Sequence, residues 1–141
     1  MASNEHRDTW EEHYCAKPQV WSGRVNAQLS AIAPTLGGTR ALDLGCGEGG
    51  DAVWLAEHGW TVVATDVSTT ALARARAAAW GLQDPFITDD MHELLKRPDI
   101  DLVEILLSHH LHKPAALAAI AAGKAVSLQK PMCLNVAEAD E

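Results

Sequence analysis

The stretch that decides the fold is Asp43-Leu44-Gly45-Cys46-Gly47-Glu48-Gly49-Gly50. It completes the short apolar run Arg40-Ala-Leu-Asp-Leu44, which is typical of a strand buried in a parallel sheet. Because glycine has no side chain, it lets the backbone turn sharply and approach a ligand closely. We therefore predict a strand, a tight glycine loop and a helix over 51–58, an arrangement that binds ligands at the edge of a parallel sheet.

Strand-like and helix-like segments alternate along the rest of the chain. Further strands are predicted over 61–65, 86–88, 101–107 and 125–128, and helices over 68–80, from Asp90 to before Pro98, and over 114–122. The capping-box spacing of Thr9 and Glu12 predicts an additional helix that begins at Thr9. This alternation indicates one α/β domain over 1–141, a Rossmann-like three-layer sandwich with a mostly parallel sheet of about five strands.

Composition excludes several classes of partner. The 141-residue chain carries a formal net charge of −8, and its basic residues are scattered, which argues against binding to nucleic acid. Its three cysteines form no close pair, so we expect free thiols rather than a disulfide framework. No apolar run is long enough to span a bilayer and no signal peptide is visible, so we expect a cytoplasmic protein without a membrane partner.

The glycines alone leave the choice of ligand open. Gly45, Gly47 and Gly50 fit the dinucleotide pattern G-x-G-x-x-G, whereas Gly45, Gly47 and Gly49 fit the tighter pattern of methyltransferases. A plain strand-to-helix turn without a ligand is the simpler alternative.

The acidic residues around the loop favour one ligand. A dinucleotide places its pyrophosphate at the helix N-terminus, where carboxylates such as Asp43 and Glu48 would repel it. Both suit the ammonium and sulfonium groups of S-adenosylmethionine. Asp66 lies 21 positions after Gly45, where a carboxylate accepts hydrogen bonds from the ribose of either cofactor and would repel the extra phosphate of NADP.

Residues from about Trp10 to about Ala79 resemble small bacterial class I methyltransferases of the tellurite-resistance and thiopurine type. The resemblance is carried by Trp10-Glu-Glu-His-Tyr14, Pro18-Gln-Val-Trp-Ser-Gly23, the stretch from Ala41 to Leu55 and Val63-Ala-Thr-Asp-Val-Ser68. It implies that Asp43, Gly45 and Gly47 line the methionine end of S-adenosylmethionine, with Cys46 as a small packing residue of the same cofactor-binding loop. It also implies that Asp66 binds the ribose, that Val67 lies against the adenine, and that Asp89 lies near the adenine, the alternative for Asp89 being a helix N-cap. The aromatic residues Trp10, Tyr14 and Trp21 either close over the cofactor or pack in the core.

From about residue 80 the chain resembles another family, the nucleotide-binding domain of the glucose–fructose oxidoreductase and inositol dehydrogenase family (Gfo/Idh/MocA). The matching stretches include His109-His-Leu-His112, Ala116-Leu-Ala-Ala-Ile-Ala-Ala-Gly-Lys124 and Gln129-Lys-Pro-Met132. This resemblance implies NAD as cofactor and Lys130 as a residue that places the substrate, although the family has Glu where Gln129 stands. The chain thus has the pattern of a chimera or truncation, with a methyltransferase-like half over 1–79 and an oxidoreductase-like half over 80–141.

Catalytic candidates are few. His110, His112 and Lys130 follow predicted strands and could touch a substrate at the sheet edge. The spacing of His109, His110 and His112 does not favour a metal site, so none is predicted. We expect a domain that binds S-adenosylmethionine and transfers its methyl group to a small molecule. The alternatives are an NAD(P)-binding fragment of an oxidoreductase and a hybrid scaffold without activity, and an unpaired sheet edge would allow a homodimer.

Overall fold

The computed structural model describes residues 4–79, 86–88 and 91–140, and within these ranges no helix is long and apolar enough to cross a membrane. The elements follow in the order α1 (Asn4–Cys15), α2 (Ala27–Ile32) with a 3₁₀ turn (Ala33–Thr35), β1 (Arg40–Leu44), α3 (Gly50–Glu57), β2 (Thr61–Thr65), α4 (Thr69–Ala78), β3 (Phe86–Thr88), α5 (Met91–Leu95), β4 (Leu102–Ile105), α6 (His109–Ala121), β5 (Ala125–Leu128) and α7 (Val136–Ala139).

The strands form one parallel sheet in the order β3-β2-β1-β4-β5. The predicted α/β, Rossmann-like fold is therefore confirmed. The chain leaves β1 in one direction to form β2 and β3, then returns to the other side of β1 to form β4. The carboxyl ends of β1 and β4 consequently flank a topological switch point, where open α/β sheets bind their ligands.

Two apolar cores cover the two faces of the sheet. Alternate residues of β1 point to opposite faces, so Ala41 belongs to one core and Leu42 to the other. The first core packs under α2, α3 and α4 around Leu29 and Leu55, and the second packs under α5 and α6 around Ile105. The result is the helix, sheet and helix layering that the alternating pattern predicts.

Two helix starts differ from the prediction. Helix α1 begins at Asn4, and the Thr9 hydroxyl donates to the carbonyl of Glu5 inside the helix, so the capping box at Thr9 is wrong. Helix α6 begins at His109 rather than at Pro114. Pro114 lies in the second turn of this helix, where its missing N–H leaves the carbonyl of His110 without an intrahelical donor. The histidine-rich segment is thus the first turn of a helix.

A conformational test of the loop compares two glycines that have positive φ angles. A Cβ on Gly45 (φ 81°) would lie 2.7 Å from the carbonyl oxygen of Leu106, whereas one on Gly59 (φ 88°) would meet nothing within 4 Å. We expect Gly59→Ala to lower the free energy of unfolding by about 1 kcal/mol, from strain alone. Gly45→Ala adds a backbone collision and should cost at least about 2 kcal/mol, measured by urea unfolding. Equal losses would contradict close packing of the loop on β4.

Candidate cofactor site

A cavity of about 630 Å³ lies at the switch point, and this volume is within the usual range for small-molecule sites. Its floor is the glycine loop after β1, and its walls are the segments that follow β2, β4 and β5. Helix α1 and residues 21–24 cover it. Of the predicted cofactor residues, the structure places Gly45, Cys46, Gly47, Asp66 and Val67 on the cavity surface. Asp89 lies outside the described residues.

Backbone hydrogen bonds from β2 hold the glycine loop in place. The amides of Gly45 and Cys46 both donate to the carbonyl of Thr65, at 2.8 and 2.9 Å. Gly47 has a φ of 53°, and a Cβ there would lie 2.8 Å from the Tyr14 hydroxyl. The loop therefore approaches its neighbours so closely that only glycine fits at these points.

Asp66 joins the end of β2 to the loop. One carboxylate oxygen accepts from the amide of Gly47 at 2.9 Å, and the other accepts from the amide of Ser68 at 2.9 Å. Burial raises the pKa of Asp66, and the backbone hydrogen bonds oppose that rise. A carboxylate oxygen can accept more than one hydrogen bond, so this carboxylate can still accept hydroxyl groups from a ligand in the cavity.

The first turn of α3 is already covered by protein. A Cβ on Gly50 would lie 3.3 Å from the carbonyl oxygen of Gly23 and 3.5 Å from that of Arg24. Asp51 places its own carboxylate in this turn and accepts the amide of Asn26 at 2.6 Å. Carbonyl oxygens and an internal carboxylate therefore lie against the helix N-terminus, which borders the cavity through Gly50 and Asp51.

Glu48 binds protein groups, contrary to the expectation that it faces a cationic ligand. Its carboxylate accepts the amides of Val20 and Trp21 at 2.8–3.1 Å and pairs with Arg74 at 2.9 Å. Burial raises the pKa of Glu48, but these hydrogen bonds outweigh burial and lower it. Arg74 also donates to the carbonyls of Tyr14 and Lys17, at 3.0 and 2.8 Å. Glu48 and Arg74 thus fasten the covering segment to the loop.

Three aromatic residues cover the cavity, as the resemblance to methyltransferases implied. The indole of Trp21 donates to the buried Tyr14 hydroxyl at 2.9 Å, directly above Gly47. The indole of Trp10 donates to the hydroxyl of Ser108 at 3.3 Å, across the cavity at the start of α6. Burial raises the pKa of Tyr14 to about 12, so its hydroxyl keeps its proton at neutral pH.

Glu11 fixes helix α1 to the start of α4, a contact that sequence reasoning missed. Its carboxylate accepts the hydroxyls of Ser68, Thr69 and Thr70 and the amide of Thr70. These bonds, led by that of the Thr70 hydroxyl, lower the pKa of Glu11 to about 2. Glu11 therefore acts as an external cap on α4, where the helix dipole favours negative charge.

Asp43 is fully buried behind the loop and is not among the residues on the cavity surface. It pairs in register with Glu104 on β4, which is also fully buried. Within the described residues, no hydrogen bond reaches the carboxylate oxygens of either residue. Burial, followed by the nearby charges of Asp51 and Glu104, raises the pKa of Asp43 well above its usual value. Burial also raises the pKa of Glu104 to about 7.

The catalytic candidates occupy different environments. His112 lies on the cavity wall but is buried, and its ring nitrogens lie 2.7 Å from the carbonyl oxygens of Leu107 and Pro131. It therefore ties the segment after β5 to the end of β4. His110 is exposed, is not among the cavity residues, and makes an edge contact with His6. Lys130 is exposed on the cavity wall.

Cys46 is a packing residue within the described structure. It is buried in the core under α3, and burial, followed by the charges of Asp43 and Asp66, raises the pKa of its thiol well above the usual value. The thiol therefore stays protonated and is a poor nucleophile.

The sequence model of a family described as "Methyltransferase domain" matches residues 41–127, more than half of the chain. The chain belongs to this methyltransferase domain family. The match spans the glycine loop, Asp66 and the strands on either side of the switch point.

Curated relatives point to a second class of protein. A mouse trans-1,2-dihydrobenzene-1,2-diol dehydrogenase is 40% identical over 75 residues, which are 53% of this chain and 22% of the relative. An uncharacterized oxidoreductase of Rhizobium meliloti is 41% identical over 86 residues, 60% of this chain and 25% of that protein. The chain thus spans a quarter or less of the length of these relatives.

Several solved structures are similar to this chain. A chain from a study of the conversion of a disulfide bond into a thioacetal group during echinomycin biosynthesis matches with a TM-score of 0.65 and 26% identity, over 82% of this chain and 53% of that one. An NAD binding oxidoreductase from Klebsiella pneumoniae matches with a TM-score of 0.57 and 28% identity, over 74% and 30%. Both likenesses support the same parallel-sheet fold.

The buried carboxyl pair predicts how stability depends on pH. Because the pKa of Glu104 is raised from 4.5 to about 7, the folded state holds a proton there that the unfolded state releases. The contribution of Glu104 to the free energy of unfolding is therefore fully present below about pH 4.5 and is lost as pH rises towards 7, by on the order of 3 kcal/mol. Glu104→Gln should flatten this decline between pH 5 and 8, measured by urea unfolding. The surface variant Glu57→Gln should keep the wild-type slope, and an unchanged slope in Glu104→Gln would contradict the assignment.

Proposed function

We propose that this protein binds S-adenosylmethionine at the switch-point cavity and transfers its methyl group to a small molecule. The observation that carries the proposal is the set of protein oxygen atoms at the N-terminus of α3, where Gly50 and Asp51 border the cavity. A dinucleotide needs that helix end for its pyrophosphate. Here the carbonyl oxygens of Gly23 and Arg24 and the carboxylate of Asp51 lie against it and would repel phosphate.

The remaining cavity residues suit an adenosyl ligand. Asp66 offers carboxylate oxygens to ribose hydroxyls at the end of β2, and Val67 offers an apolar surface next to it. When bound, S-adenosylmethionine supplies a methyl group on a sulfonium, and the task left to the protein is to align the acceptor and exclude water. Trp10, Tyr14 and Trp21 cover the site and would perform the second task.

A second candidate is NAD binding by an oxidoreductase-type fragment. It is favoured by the identity of about 40% to dehydrogenases and by Lys130, which lies on the cavity wall. Under this candidate His112 would hold the segment that carries Lys130, because it bonds the carbonyl of Pro131. The covered start of α3 argues against it.

We also propose that the chain joins two families within one sheet, since its family model is a methyltransferase domain and its curated relatives are oxidoreductases. Strand β1 of the methyltransferase-like half pairs over four residues with β4 of the oxidoreductase-like half. Trp10 and Ser108 add a hydrogen bond between the halves. We also keep a homodimer as a proposal, since β5 is an edge strand of the described sheet and its residues are only partly buried.

Thermal melts with different cofactors separate the candidates. S-adenosylhomocysteine at about 100 times its Kd should add about 2.7 kcal/mol to the free energy of unfolding and raise Tm by several degrees. NAD and NADP at the same concentrations should leave Tm unchanged, because the start of α3 is covered. A shift with NAD alone would reverse the order of the candidates. No shift with any cofactor would favour the scaffold without activity.

Asp66 is the residue whose loss should weaken the cofactor most. Asp66→Ala removes the ribose acceptor and the bond to the amide of Gly47, so we expect at least tenfold weaker binding of S-adenosylhomocysteine by calorimetry. Asp66→Asn keeps one acceptor oxygen, so its affinity for S-adenosylhomocysteine should lie between those of the wild type and Asp66→Ala. Asp140→Ala, at an exposed position far along the chain, is the matched control and should bind as the wild type does. Wild-type affinity in Asp66→Ala would remove Asp66 from the site.

A further inference from the structure

The charges on the cavity wall divide into two groups. Each acidic residue there already accepts hydrogen bonds from the protein: Glu48 from Trp21, Asp51 from Asn26 and Asp66 from Gly47. Within residues 4–79, 86–88 and 91–140, the side chains of two cationic wall residues, Arg24 and Lys130, make no hydrogen bond or ion pair. The charge that the cavity leaves available for a ligand is therefore positive.

The two cations come from different segments of the cavity wall. Arg24 belongs to the segment that packs on the start of α3, since its carbonyl lies near Gly50. Lys130 follows β5. A second cavity is bordered both by residues 26–28 and by residues 127–130, so the chain segments next to the two cations lie near each other. A ligand in the main cavity therefore lies against wall segments that carry Arg24 and Lys130.

Two cationic side chains without an acidic partner are unusual beside one cavity of a chain with a net charge of −8. Mutual repulsion makes two unpaired cations beside one cavity unfavourable unless a ligand supplies the counter-charge. A guanidinium presents a planar set of donors that matches a carboxylate, and a lysine ammonium adds a flexible point charge. We propose that Arg24 and Lys130 form a carboxylate-binding pair at the mouth of the switch-point cavity.

Two ligands could bring this carboxylate. One is the amino-acid end of the cofactor, in which case the inference rests on the proposed function. The other is a small organic acid that serves as the methyl acceptor, whose ring or chain would lie against Trp10 and Trp21. An acceptor of the second kind carries its own negative charge towards the sulfonium, which lowers the electrostatic cost of approach.

The two sources are distinguished by ligands that differ only in the carboxylate. For the cofactor, we compare S-adenosylhomocysteine with 5′-methylthioadenosine, which lacks the amino-acid end. For the acceptor, we compare benzoate with neutral benzamide and with phenyl phosphate, each titrated into protein with and without S-adenosylhomocysteine. Calorimetry on the wild type, Arg24→Gln, Lys130→Gln and the control Arg76→Gln gives the affinities. Arg76 is exposed on α4, outside the cavity wall.

If the cofactor supplies the carboxylate, Arg24→Gln and Lys130→Gln should weaken S-adenosylhomocysteine by at least about tenfold and leave 5′-methylthioadenosine unchanged. If the acceptor supplies it, benzoate should bind the wild type and lose the same factor in both variants, and benzamide should not bind. If phenyl phosphate binds more tightly than benzoate and loses affinity in the same two variants, this result would support Arg24 and Lys130 as an anion-binding pair whose ligand is a phosphate. Arg24→Lys keeps the charge and should recover most of the loss.

The outcomes also separate this inference from the proposed function. If neither adenosyl ligand binds but benzoate binds through Arg24 and Lys130, the proposed function fails and the anion pair stands. If S-adenosylhomocysteine and 5′-methylthioadenosine respond equally to both variants and no organic anion binds, the pair is overturned while the cofactor site remains. Thermal melts of each variant confirm folding, which we expect to be retained because the two side chains are exposed and unpartnered in the described residues.

Discussion

The site depends on how closely the backbone after β1 approaches the ends of its two neighbouring strands. On one side the carbonyl of Thr65 accepts the amides of Gly45 and Cys46, and on the other the carbonyl of Leu106 leaves no room for a Cβ on Gly45. This constraint fixes the bend of the loop before any ligand arrives. Asp66 then completes the arrangement, because its bond to Gly47 orients the far side of the loop.

Much of this arrangement is local in sequence and could be predicted. Strands β1 and β2, the loop and Asp66 follow one another within about one supersecondary unit, so their periodicity and glycines indicate them directly. Contacts between distant residues could not be predicted. Glu48 pairs with Arg74 at a separation of 26 residues, and Glu11 binds Ser68 at a separation of 57 residues. No sequence pattern indicates either pairing.

The start of α6, which was predicted wrongly, and the buried residue Glu104, which was not predicted, both leave a signal in the sequence. Serine is common at helix N-caps, and Ser108 marks the start of α6 directly before the histidines. The predicted start at Pro114 was wrong because proline is also common in the first turn of a helix. Glu104 stands as a lone charge within the apolar run of β4. A charge at such a position indicates either a partner or a buried group that holds its proton. The structure places it beside Asp43, where two acids face each other without a counter-charge.

Helix α1, which covers the cavity, is attached to two distant segments of the chain. Helix α1 is held through Glu11 at the start of α4 and through Trp10 at Ser108. A substitution that removed the Ser108 hydroxyl would leave the strand order unchanged, yet it would remove the hydrogen bond that holds Trp10. The position of helix α1 therefore depends on a residue 98 positions away from Trp10, which the strand order does not reveal.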